Sequence, residues 1–85
     1  MKLRELIYCH MSDKFLGRRI DMLSKELNNA NTSEKRMKIF EEETDIMKAL
    51  LYKHRDDKEF IRMARRGLEE LLDKYKPVID ENKES

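Results

Sequence analysis

Apolar side chains recur every three or four positions through the last third of the chain, and charged residues fill the gaps between them. This recurrence is typical of one face of an amphipathic α-helix. The apolar positions are Phe60, Ile61, Ala64, Leu68, Leu71, Leu72, Tyr75 and Ile79. The pattern predicts a helix over residues of about 57–81, with Pro77 opposing helical hydrogen bonding near its end.

Two earlier segments show related patterns. The first predicted helix covers residues of about 2–28 and stops in the turn-favouring stretch 28–31. The second covers about 32–54, and Asn31 and Glu34 stand in the spacing of a capping box at its start. Short links between helices of similar length favour antiparallel neighbours. We therefore predict a single all-α domain over residues 1–85, an up-down-up three-helix bundle with a frayed tail from about residue 82.

The first segment has apolar residues on two opposite sides, which one neighbouring helix cannot cover. At about 100° per residue, one side holds Cys9, Leu16, Ile20, Leu23 and Leu27, and the other holds Leu3, Ile7, Met11, Phe15 and Met22. Three interpretations remain open. The helix lies centrally and is covered on both sides, or it breaks near Ser12 to give a short N-terminal arm, or its second side stays exposed as a binding surface.

Composition and charge narrow the function without assigning it. The 85 residues are 44% charged and 39% apolar, and the net charge of +1 gives no overall attraction to nucleic acid or to an anionic membrane. The single Cys9 cannot form an intramolecular disulfide, and neither a signal peptide nor a membrane span is expected. We therefore predict an intracellular, cytoplasmic protein.

The residues that could carry chemistry are too scattered to predict a catalytic or metal site. Cys9 and His10 are adjacent and so point about 100° apart on a helix, while His54 lies far along the chain. No nucleophile, base and oxyanion donor are grouped in the sequence. We predict no enzymatic activity, no metal, no cofactor and no small-molecule substrate.

Two groups of charges deserve separate interpretations. An acidic run at residues 41–45 is expected to pair with cations of the first helix such as Arg18 and Arg19. A basic patch on the third helix could contact phosphates. Nearby carboxylates favour a solvated, salt-bridged surface there, so nucleic-acid binding is the alternative function. The patch comprises Lys58, Arg62, Arg65 and Arg66.

The sequence thus favours a small, non-enzymatic interaction or regulatory protein. We predict that it binds a protein partner, or a second copy of itself as a homodimer, through an apolar stripe on the first helix. Tyr8 is expected to supply a hydrogen bond at the rim of this stripe. The predicted partner-binding residues are Leu3, Ile7, Tyr8, Met11 and Phe15.

Overall fold

A computed structural model of the chain describes residues 2–84, without the side chains of residues 78 and 81–84. It contains four α-helices: α1 (Leu3–Cys9), α2 (Asp13–Asn29), α3 (Ser33–Lys53) and α4 (Lys58–Glu84). The all-α class is confirmed, and the predicted number of three helices is wrong. No helix within residues 2–84 is long and apolar enough to cross a membrane.

The additional helix arises from a break at Ser12. The Ser12 backbone is extended, and its hydroxyl accepts a hydrogen bond from the Phe15 N–H at 3.2 Å, which starts α2. A serine that satisfies one of the free N–H groups at a helix start stabilises a new helix there. The interpretation with a break and a short N-terminal arm is confirmed, and a continuous helix over residues 2–28 is excluded.

The starts of the two later helices are capped by side chains as well. The Thr32 hydroxyl accepts from the Lys35 N–H at 3.2 Å, so the capping box expected from Asn31 and Glu34 does not form. Both residue types cap well, but Thr32 directly precedes the first helical residue. The Asp57 carboxylate accepts from the Phe60 N–H at 3.0 Å, close to the predicted start of the last helix.

Helix α3 is the centre of the fold, because α1, α2 and α4 all pack against it. Of the three interpretations of the first segment, the one in which it lies centrally is therefore excluded. The buried cluster that joins α1, α2 and α3 consists of Tyr8, Leu16, Leu23, Ala30, Ile39, Ile46 and Ala49. On the α4 side, the buried residues Phe40, Ala64 and Tyr75 complete the core.

Aromatic contacts at both ends of α3 show that α4 runs antiparallel to it. The rings of Phe40 and Tyr75 have centroids 5.0 Å apart, and those of His54 and Phe60 are 4.2 Å apart. Helix α4 continues through Pro77 to Glu84, past the predicted end. At a rise of about 1.5 Å per residue its 27 residues match the 39 Å length of the molecule. Fraying from residue 82 stays a prediction.

Candidate protein interface

Helix α1 carries its apolar side chains outward. Leu3, Leu6 and Ile7 fall within an arc of about 100° on the helix, and they are 74%, 45% and 47% exposed. The opposite arc faces α3 and buries the Glu5 carboxylate together with Tyr8, whose ring belongs to the core cluster. Surface helices normally bury their apolar face and expose their polar one. In α1 three apolar residues remain in solvent while the Glu5 carboxylate is buried.

Polar contacts hold the inward side of α1 on α3. The Arg4 guanidinium donates to the buried Asp45 carboxylate, with Nε at 2.8 Å and Nη2 at 2.6 Å. The Glu5 carboxylate accepts from the Lys2 N–H at 3.2 Å and lies 3.8 Å from Lys48 Nζ. Because the buried groups are satisfied in this way, α1 can turn its polar residues inward without leaving them unpaired.

Tyr8 is part of this inward network. Its hydroxyl donates to Glu42 at 2.8 Å, and Glu42 also receives the Arg19 guanidinium at 2.9 Å. Burial, followed by the hydrogen bond to Glu42, raises the pKa of Tyr8. The predicted pairing between the acidic run and Arg19 is therefore present. Tyr8, which was expected at the rim of the binding surface, instead joins α1, α2 and α3.

The junction between α1 and α2 is anchored by the end of α3. Lys53 Nζ donates to the Asp13 carboxylate at 2.8 Å and also to the backbone carbonyl of Met11. The His54 Nε2 atom lies 2.6 Å from the other Asp13 oxygen. The hydrogen bond from Lys53 is the main reason that the pKa of Asp13 lies below its ordinary value. These contacts fix the position of the turn that connects α1 to α2.

The predicted partner-binding residues differ in how exposed they are in the structure. Leu3 and Ile7 lie on the outward face of α1, and Phe15 is half-exposed on α2. Met11 packs partly against the core, and Tyr8 is buried. Leu6 completes the outward face and was missed. Its angular position around the helix could have identified it, because at about 100° per residue Leu6 falls beside Leu3.

The alternative basic patch lies along one exposed face of α4. Lys58, Arg62, Arg65 and Arg66 fall within an arc of about 100°, and all four are exposed. Arg62 lies 3.8 Å from a Glu59 oxygen, and Arg66 lies 3.9 Å from a Glu70 oxygen. Both ion pairs are exposed, so they reduce the local positive charge without fixing a geometry.

A small cavity of about 140 Å³ separates α2, α3 and α4. Its walls are Ile20, Met47, Gly67 and Leu71, together with Glu43, the one ionisable residue among them. Glu43 is buried, and the Tyr75 hydroxyl donates to it over a long 3.5 Å. Burial raises the pKa of Glu43 above its ordinary value of 4.5, and the nearby Lys74 opposes this effect.

The raised pKa of Glu43 makes a testable contribution to stability. Because the folded protein binds this proton more tightly than the unfolded chain, the contribution is complete below the unfolded pKa and is lost as pH rises through the folded pKa. We expect Glu43→Gln to gain stability relative to the native protein as the pH is raised from 4 to 7, measured by urea unfolding. The exposed Glu41→Gln is the control, and an equal pH dependence in the two variants would contradict the assignment.

Among the residues with described side chains, no three His, Cys, Asp or Glu groups are arranged to bind a metal ion. Cys9 is half-buried, and its thiol faces the Ala49 carbonyl at 3.9 Å. Comparisons with models of protein families, with characterised proteins and with solved structures give no match.

Proposed function

We propose that this chain is a small, non-enzymatic interaction protein that binds another protein, or a second copy of itself, through the outward face of α1. The observation that supports this most strongly is the exposure of Leu3, Leu6 and Ile7 on one face of α1, while the Glu5 carboxylate and the Tyr8 ring are buried on the other. Contiguous exposed apolar side chains on a soluble domain usually mark a contact surface.

The energetic reason for binding is the removal of these side chains from water. Burial of apolar surface contributes about 25 cal/mol per Å². Leu3, Leu6 and Ile7 follow the i, i+3, i+4 spacing with which one helix packs along another. They would form the central anchor of an interface, surrounded by polar residues. Phe15 on α2 is a further candidate contact, because its ring is also half-exposed.

A cytoplasmic location and the absence of a catalytic role belong to the same proposal. The single cysteine is consistent with a reducing compartment, where disulfides are rare. Binding alone requires no activated nucleophile or general base.

The proposal is tested by a matched pair of double variants. Leu3→Gln with Ile7→Gln removes the outward face of α1 and keeps good helix formers there. Met63→Gln with Leu72→Gln changes two other exposed apolar residues, both on α4. The tagged native chain and both variants are used to recover proteins from the native cell, and sedimentation of each purified chain measures self-association.

We expect the α1 variant to bind a partner, or a second copy of itself, at least about tenfold more weakly than the α4 variant does. A tenfold loss of affinity corresponds to about 1.4 kcal/mol of binding free energy. Circular dichroism should show both variants folded. Identical recovered proteins and identical sedimentation for the two variants would contradict the proposal.

Nucleic-acid binding through α4 is the second candidate, because four of its cations, those of the basic patch, lie on one face. Phosphate contacts make affinity fall steeply with salt. Arg62→Gln with Arg65→Gln should then weaken an RNA or DNA mobility shift, whereas the exposed Arg36→Gln on α3 should not. No mobility shift of the native chain at low salt would eliminate this candidate.

A further inference from the structure

We propose that the partner of α1 is an amphipathic helix whose apolar stripe is flanked by carboxylates. This inference rests on the proposed function, and it adds the chemical character of the partner. It comes from the way that charges are layered beneath and beside the outward face of α1.

In each ion pair under α1 the carboxylate is inside and the cation is outside. The Asp45 side chain is 2% exposed, whereas its partners Lys2 and Arg4 are 67% and 44% exposed. The carboxylate is also the more buried group in the pair between Glu5 and Lys48, whose side chains are 9% and 51% exposed. A surface charge acts on a neighbouring molecule more strongly than a charge behind it. The cations of these pairs therefore lie nearer the exterior than their carboxylates.

Two of these cations flank the apolar residues. Lys2 and Arg4 each lie about 100° from Leu3 around the helix, on its two opposite sides. Lys48 of α3 lies 3.8 Å from Glu5, on the side of α1 that faces α3. A helix that packed its own apolar residues along Leu3, Leu6 and Ile7 would bring its flanking positions to these cations. Carboxylates there would gain favourable pairs, and lysines would be repelled.

The same charges disfavour two other occupants. In a symmetric dimer through α1 both faces are identical, so the cations of one copy would meet those of the other. An anionic lipid surface is usually held by clusters of about four to eight Lys or Arg residues. The described ion pairs of α1 contain three such cations, with the two carboxylates of Asp45 and Glu5 beneath them. A partner helix with a few local carboxylates matches this modest charge.

The test uses a displayed library of amphipathic helical peptides with a fixed leucine stripe and with Glu, Gln or Lys at the flanking positions. Selection is carried out on the native chain and on the Leu3→Gln, Ile7→Gln variant. We expect the peptides that bind the native chain, and do not bind this variant, to be enriched in Glu at the flanking positions. Lys2→Gln with Lys48→Gln should weaken the best of them by about two- to thirtyfold, the range for two exposed charge pairs.

The control for this charge variant is Lys35→Gln with Lys38→Gln on α3, which removes two exposed cations and should leave peptide affinity unchanged. Peptides that require Leu3 and Ile7 but show no preference for Glu would overturn the acidic partner and leave the proposed function in place. Cosedimentation with phosphatidylserine vesicles that depends on Leu3 and Ile7, without any peptide binding, would overturn it in favour of a lipid surface. The experiment with recovered cellular proteins, described above, decides the proposed function separately.

Discussion

Ile46→Ala is expected to lower the free energy of unfolding by about 2–5 kcal/mol, since it removes a fully buried aliphatic side chain from the central helix. Ile46 belongs to the cluster in which α1, α2 and α3 meet. The loss combines the transfer of the removed groups from water with the cavity that they leave. A chain of this size has a small margin of stability, so a substantial unfolded population should result.

Urea unfolding followed by far-UV circular dichroism measures this change. Met63→Ala is the matched control, because Met63 is exposed on α4 and both residue types favour helix. It should change the free energy of unfolding by less than about 0.5 kcal/mol. If the two variants unfolded at the same urea concentration, the position of Ile46 at the centre of the fold would be wrong.

Tyr75→Ala should have a comparable or greater effect, about 3–5 kcal/mol, the range for truncation of a large buried aromatic residue. Tyr75 is 1% exposed, and its ring packs against Phe40 with centroids 5.0 Å apart. Its burial raises the pKa of its hydroxyl, to which the carboxylate of Glu43 also contributes. Loss of the ring removes the main contact between the second half of α4 and the start of α3.

The conservative variant Tyr75→Phe separates the ring from the hydroxyl. The hydrogen bond to Glu43 is long at 3.5 Å, so its removal should cost less than about 1.5 kcal/mol. Thermal and urea unfolding of both variants supply the comparison. Equal losses for the Ala and Phe variants would contradict the packing role, since the hydroxyl would then account for the whole effect.

Local signals in the sequence were sufficient to predict most of the helix boundaries. The period of the apolar residues places α3 and α4 close to their observed limits, because it reports which side of each helix is buried. Asp57, where the last helix was predicted to start, caps α4, which begins at Lys58. At Ser12 the capping side chain was recognisable, but the apolar period continued past it. Periodicity alone could not decide between one helix and two.

The arrangement of the helices was less accessible. The first segment has apolar residues on two sides, which left a central position as one of three open interpretations, yet α3 is the helix that contacts the other three. Its central place depends on buried polar residues such as Glu43 and Asp45, which a count of apolar positions treats as exposed. Whether a carboxylate is buried depends on cations from distant parts of the chain, here Arg4 for Asp45.

Only part of the candidate interface was predicted, because the burial of a side chain depends on contacts with distant parts of the chain. Leu3 and Ile7 were correctly placed on one side of α1, opposite the residues that face α3. Tyr8 was assigned to the rim, but its partner Glu42 lies 34 positions away and brings the hydroxyl inside. Sequence spacing gives the angle of a side chain about its own helix. It does not give the tertiary contact that decides between burial and exposure.

The most direct test of the account is the solvent exposure of the α1 methyl groups in the free, monomeric chain. Methyl-labelled protein is mixed with a soluble paramagnetic compound, and NMR line broadening is measured for each Leu and Ile residue. We predict strong broadening for Leu3, Leu6 and Ile7 and little for Leu16 and Ile46, which are fully buried. Methyl groups of Leu3 and Ile7 that are as protected as those of Ile46 would show that the chain covers this face itself, and would contradict the account.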